Sequence, residues 1–271
     1  MSPLYLLFSN FAWMRPAHQS LGELSIAHAV SSDSGRKRIM NRTLIFVLIA
    51  GLGMATTLAA GEVRTLSAEV ESATLKAVEL EAGVGDVNIR TGSGPMIIAS
   101  VEIRPRRGGL FSSMKAAEKQ VQTARFESKV SGDTLMLKIS GIDEDRRFEE
   151  DWTLTLPAHL ALVVELGVGD VEVSNTAGGL DLELGVGDAT IQVNGGPIEV
   201  EVGVGDITVR GPSAAYRSVE VAAGVGDVRI IADGRKIIGE GFIAHSAEWQ
   251  GAGDAAIEAE CGVGDIRIVL E

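Results

Sequence analysis

One cysteine, four histidines and a dozen aromatic rings are all that this 271-residue chain offers of the side chains on which covalent, metal and stacking chemistry usually rest. The lone Cys261 rules out an intrachain disulfide, and no Cys/His spacing of a zinc site is present. Beyond residue 60 the rings reduce to Trp152, Trp249, Tyr216 and four Phe, too few to line a sugar or base platform. Positive charge is scarce as well: 24 Lys and Arg stand against 37 Asp and Glu, for a formal charge of -13. A body that acidic repels nucleic acid and anionic lipid, and leaves cations and basic surfaces as compatible partners. No apolar run reaches the ~20 residues of a membrane-spanning helix. No glycine stretch carries the Lys of a phosphate loop.

Glycine, by contrast, fills 33 positions, and most of its pattern is one tetrapeptide. Gly-Val-Gly-Asp occurs six times, at 83–86, 167–170, 185–188, 203–206, 224–227 and 262–265. The four middle copies follow one another at steps of 18, 18 and 21 residues, a period of stacked supersecondary units rather than of one irregular globule.

Ahead of the repeats, residues 40–60 read as a basic start, an apolar run from Thr43 to Met54 and a small-residue exit at Ala59-Ala60. That is the grammar of a secretory signal peptide. Residues 1–39, upstream of a second possible start at Met40, are expected to be a disordered or mis-assigned segment. Residues 61–271 are expected to form a single β-repeat domain. Within it, 96–156 is a non-repetitive insertion: a β run from Met96, a basic loop with Arg104, Arg106 and Arg107, and a helix over 112–125 capped by Ser112 or Ser113. Two strands then form a hairpin across Ser131-Gly132-Asp133, before a last strand from Trp152.

From 162 to 271 the repeat is regular. The strand before each corner alternates apolar residues (Leu162, Val164, Leu166; Leu180, Leu182, Leu184; Ile198, Val200, Val202) with mostly acidic partners such as Glu165, Asp181, Glu183, Glu199, Glu201, Glu220, Glu258 and Glu260. The strand after it repeats the alternation, and a second Gly-rich corner closes each unit. Two short strands and two corners per unit predict an all-β chain: a β-solenoid (parallel β-helix-like) of Gly-Val-Gly-Asp repeats with one short helix inserted near the N-terminal end. The competing arrangement is an antiparallel meander with each tetrapeptide as a hairpin loop. The final strand, 266–271, is expected at a sheet edge.

Stacking would bring Asp170, Asp188, Asp206 and Asp227 into a row. A short carboxylate beside a glycine turn accepts backbone N–H groups, which is one reason for such a row. A Ca²⁺ ion would be another, although the spacing departs from that of nonapeptide calcium repeats. The insertion at 235–251 carries Phe242, His245 and Trp249, either as a partner-binding loop or as a packed cap over an open end. Cys261 falls where Leu166, Leu184 and Val202 fall in other units, and so reads as a small buried apolar residue. The acidic residues repeat in equivalent places, whereas acid–base catalysis needs carboxylates in unlike environments. No catalytic residue and no cofactor are assigned.

With the signal segment, the interrupted first unit, the Leu154-Thr155-Leu156-Pro157 entry and the run of Gly-x-Gly-Asp repeats in view, residues 63–271 resemble the putative adhesin family of bacterial envelope proteins, β-strand-repeat domains of unknown function. The resemblance implies no site residues. The expectation is an exported, non-catalytic module, structural or adhesin-like, in the periplasm or at the cell surface. Its partner would be an unknown envelope protein or surface glycan, with no nucleic acid, and it would touch membrane only through an uncleaved signal segment. The alternatives are a polysaccharide-active enzyme, which turnover on a glycan panel would reveal, and a Ca²⁺-binding surface protein, which a calcium-dependent melt would reveal.

Overall fold

The computed structural model describes residues 63–106, 114–141, 148–241 and 244–271. The expected signal peptide, the upstream segment, Arg107, the Ser112 or Ser113 cap and Phe242 lie outside the described residues. The strands are β1 (Arg64–Glu71), β2 (Ala77–Val84), β3 (Val87–Gly92), β4 (Met96–Pro105), β5 (Arg125–Ser131), β6 (Thr134–Ser140), β7 (Phe148–Pro157), β8 (Ala161–Val168), β9 (Val171–Thr176) and β10 (Leu180–Val186). They continue with β11 (Ala189–Val193), β12 (Ile198–Val204), β13 (Ile207–Gly211), β14 (Tyr216–Val225), β15 (Val228–Ala232), β16 (Arg235–Ile238), β17 (His245–Gln250), β18 (Ala255–Val263) and β19 (Ile266–Leu270). One helix, α1 (Met114–Thr123), precedes β5.

Each Gly-Val-Gly-Asp is a corner at which the chain leaves one sheet and enters the other. One sheet runs β1-β4-β7-β3-β9-β11-β13-β19-β15-β16, and the other β17-β14-β18-β12-β10-β8-β2-β6-β5. Equivalent strands pair in parallel and in register, so that Leu182 sits beside Val164 and Val200 in one sheet, and Ile191 beside Val173 and Val209 in the other. The inward residues of both sheets form one buried aliphatic core. Each such side chain contributes roughly 1.5–3 kcal/mol of burial before chain entropy is subtracted.

The β-solenoid expectation is corrected by the pairing. In a solenoid each coil rests on its predecessor, but here β18 lies between β12 and β14, and β19 between β13 and β15. The unit made last in sequence is wedged between two earlier ones. Antiparallel pairs finish both sheets: β1 with β4, β4 with β7 and β5 with β6 at one end, and β15 with β16 and β14 with β17 at the other. The fold is therefore all-β with two mixed sheets. The inserted helix is not a decoration on a coil, because α1 packs on β4 and β7 and buries Ala117, Gln120 and Val121. The Arg64 Nη1 donates to the carbonyls of Val121, Gln122 and Ala124 at 3.1, 3.0 and 2.8 Å, satisfying the last turn of that helix from β1. Nor is 266–271 an edge, since β19 is paired on both sides.

Two requirements fix the corner sequence. The second glycine holds φ between 138° and 146° in all six copies, a conformation that L side chains rarely adopt. The first glycine lies so close to the next corner that a Cβ on Gly167 would sit 2.6 Å from the Gly83 carbonyl oxygen.

Candidate functional site

The corners stack into a continuous hydrogen-bonded column. The Asp170 N–H donates to Asp86 Oδ1 at 3.1 Å, the Asp188 N–H to Asp170 at 2.9 Å and the Asp206 N–H to Asp188 at 2.9 Å. The column then passes through Asp265, whose N–H donates to Asp206 at 2.8 Å, and ends at Asp227, whose N–H donates to Asp265 at 2.8 Å. At the other end the Asp86 N–H donates to Asp151 Oδ1 at 3.1 Å, and Asp151 is held in turn by Arg104. Each corner aspartate except the terminal Asp227 therefore caps the backbone of its neighbour, a bond that a carboxylate beside a turn forms readily. The expected row of Asp170, Asp188, Asp206 and Asp227 is present with one amendment: Asp265 stands between Asp206 and Asp227. Among the described residues no group of three or more His, Cys, Asp or Glu side chains converges as a metal ion requires.

Beside this column runs a ridge that the sequence reading passed over. The valines of the corners are paired in register as Val84, Val168, Val186, Val204, Val263 and Val225, and the last five are 43–55% exposed. The signal was the identity of the second corner residue in all six copies, which turn geometry does not demand.

The outer face of the nine-stranded sheet carries the carboxylates. Glu81, Glu165, Glu183, Glu201 and Glu260 occupy one cross-strand row, and Asp181, Glu199, Glu258, Glu220 and Glu248 the next. Rows of like charge one strand apart, about 4.8 Å, repel by roughly 1 kcal/mol per pair even in water. The crowding is felt in titration: partial burial, then the charges of Asp181, Glu258, Glu201 and Glu260, hold the Glu199 carboxyl above its ordinary range. Burial does the same to Asp181. Asp181, Glu199 and Glu258 rim a shallow depression of about 250 Å³.

The other sequence candidates are dispersed. Trp249 is 7% exposed and belongs to the core, into which β17 turns it. His245, at the start of the same edge strand, is half-buried, with its Nδ1 out of contact with any hydrogen-bond partner among the described residues. Cys261 is buried, donates its thiol to the Gly205 carbonyl at 3.1 Å, and is pushed up in pKa chiefly by burial. One buried carboxylate escaped the sequence reading. Glu150 has no exposed surface and accepts the Gly83 N–H at 2.5 Å and the Trp152 indole N–H at 3.3 Å. It does for the first corner what a neighbouring repeat does for the others, in a stretch whose sequence gives no repeat to align. No helix among the described residues is long and apolar enough to cross a membrane.

The family described as the N-terminal domain of toast_rack, DUF2154, matches residues 59–210. Among solved structures the chain is similar to a putative cell adhesion protein from Clostridium sporogenes, with 21% identity over 77% of this chain and 100% of that one, at a TM-score of 0.48. It is also similar to a putative adhesin from Bacteroides fragilis, with 16% identity over 75% of this chain and 96% of that one, at a TM-score of 0.31. The family match agrees with the resemblance, read from the sequence, to a domain of unknown function. No curated protein matches the chain.

Proposed function

From the premise that this chain belongs to the family of the toast_rack N-terminal domain, we propose that it is an exported, non-catalytic module of the bacterial cell envelope that works by adhesin-like contact. The observation that carries the reading is the outer face of the nine-stranded sheet. Its carboxylates stand at equivalent positions on successive strands, on a backbone frame held by parallel pairing. Such a face binds by extended charge complementarity, its carboxylates repeating along the strands rather than converging on one point. The leader-like 40–60 segment supports export to the periplasm or the surface. The partner chemistry that fits is cationic: a basic protein surface or an amine-bearing glycan.

The test is binding of the purified chain to isolated envelope fractions, compared with a variant in which Glu199, Glu201, Glu258 and Glu260 are all replaced by Gln. Binding that falls at least tenfold in the variant supports the reading, and undiminished binding removes the acidic face from it. N-terminal sequencing of chain recovered from outside the cytoplasm should begin near residue 60. A chain found wholly in the cytoplasm would sink the export part.

A further inference from the structure

The acidic face has a counterpart on the same molecule. On the ten-stranded sheet, the strands β13, β19, β15 and β16 turn Arg210, Arg267, Arg229 and Lys236 outward, interleaved with Thr208, Val269, Ile231 and Ile238. No ion pair holds any of the four cations among the described residues, and the Arg229 Nε is buried without a hydrogen-bond partner. A depression of about 340 Å³ opens beside Arg210 and Val269. Directly behind these strands, across the core, lie β12, β18, β14 and β17, which carry Glu199, Glu201, Glu258, Glu260, Glu220 and Glu248 on the opposite outer face. The same four units are thus basic on one side and acidic on the other.

Both charge patterns are written on the lattice of a β-sheet, about 4.8 Å between strands and about 6.8 Å between alternate residues. A second sheet of the same construction meets that spacing without rearrangement. We propose that this surface docks a second copy of the chain, the Arg210, Arg267, Arg229 and Lys236 face of one molecule seating on the Glu199, Glu201, Glu258 and Glu260 face of the next. The contact joins two different faces, so it is heterologous and leaves one face of each kind free, which extends a pair into a stack. The formal charge of -13 opposes the approach of whole molecules. At physiological salt, however, charges farther apart than about 8 Å are screened, and the facing residues decide. The Glu199 carboxyl, raised first by partial burial and then by the charges of Asp181, Glu258, Glu201 and Glu260, is one place where an arriving cation relieves repulsion. The inference rests on the reading of the acidic face as a contact surface and names its occupant.

The test is sedimentation velocity on the full chain across a concentration series at about 0.15 M and about 1 M salt, where the screening lengths are roughly 8 and 3 Å. Wild-type chain should form species larger than a monomer at low salt, with association at least ~10-fold weaker at high salt. Arg210→Glu with Arg267→Glu should remain monomeric, and so should Glu199→Lys with Glu258→Lys. Mixing these two double variants should restore association, because the acidic face of the first meets the basic face of the second and the two reversed faces meet each other. Complementation on mixing also demonstrates that both variants are folded. Wild-type chain that is monomeric at every low-salt concentration overturns the proposal, as does association that ignores salt or survives either reversal. Monomeric wild-type chain that binds oligolysine through Glu199 and Glu258 overturns it in favour of a basic polypeptide. Charge reversal at Arg210 and Arg267 leaves the acidic face intact. Envelope binding that persists in that variant while self-association is lost separates this proposal from the broader reading.

Discussion

Tyr216 is wholly buried, and its hydroxyl finds no hydrogen-bond partner among the described residues; burial pushes its pKa up to about 12. A buried hydroxyl left unpaired forfeits about 1–3 kcal/mol of hydration. Tyr216→Phe should therefore stabilise the chain by about 1 kcal/mol, read as a higher urea midpoint at unchanged slope. Glu199 offers a test with the opposite dependence on charge. Its carboxyl, like that of Asp181, is raised in the folded chain above an ordinary value of 4.5 for Glu and 3.8 for Asp. The folded state then holds more protons than the unfolded state just above those values, so this contribution to stability falls as pH rises through the window that begins near pH 4.5. Glu199→Gln should raise the melting temperature at neutral pH and flatten its pH dependence in that window relative to wild type. A steeper slope in the variant would show the sign to be wrong.

Among the elements, what the sequence revealed depended on what its local chemistry had to decide. Alternation marked Leu162, Leu182, Val200 and Ile257 as inward because a strand has period two and one face must be dry. The tetrapeptide marked the corners, because only glycine tolerates both the positive φ and the approach of the neighbouring carbonyl. Strand order was another matter. Every corner offers the same groups to its neighbours, so the repeat pattern by itself does not say whether β12 accepts β14 or β18. Connection length chooses. The 21-residue step from Asp206 to Asp227 contains a 3₁₀ turn at Ser213–Ala215 that carries the chain past one vacant place, and this was the legible clue to the wedged unit. The Asp265 link in the column was hidden for the same reason, while Glu150 was hidden because it replaces a repeat rather than obeying one. A chain ending at Asp254 would lack β18 and β19 and leave β12 and β14 separated. It should lose cooperative unfolding altogether, rather than the share of one unit. Circular dichroism with urea titration tests this, and a sharp transition in the shortened chain would contradict the pairing described here.

At the scale of the whole molecule, the dominant tension is between a neutral core and rows of carboxylates on one outer face. Those rows repel through solvent, and salt weakens the repulsion within a screening length of about 10 Å at 0.1 M. In a dilute sample, where copies do not meet, raising salt from about 0.01 M to about 1 M should lift the melting temperature by several degrees, given roughly 2–4 °C per kcal/mol for a domain of this size. A melt that is indifferent to salt would mean that the rows are already compensated within the molecule. Association at higher concentration responds to salt in the opposite direction, so the two effects are separable by dilution alone.

The wedged position of β18 and β19 also sets an order in time. A chain emerges N-terminal end first, at about 5–20 residues per second. The first four repeat corners and the fifth can be made, yet both sheets keep an open slot between β12 and β14 and between β13 and β15 until residues 255–270 have emerged. Until then neither half has its full set of neighbours, and the segment that completes them is the same segment for both. A nascent chain built this way completes neither sheet before that segment has emerged.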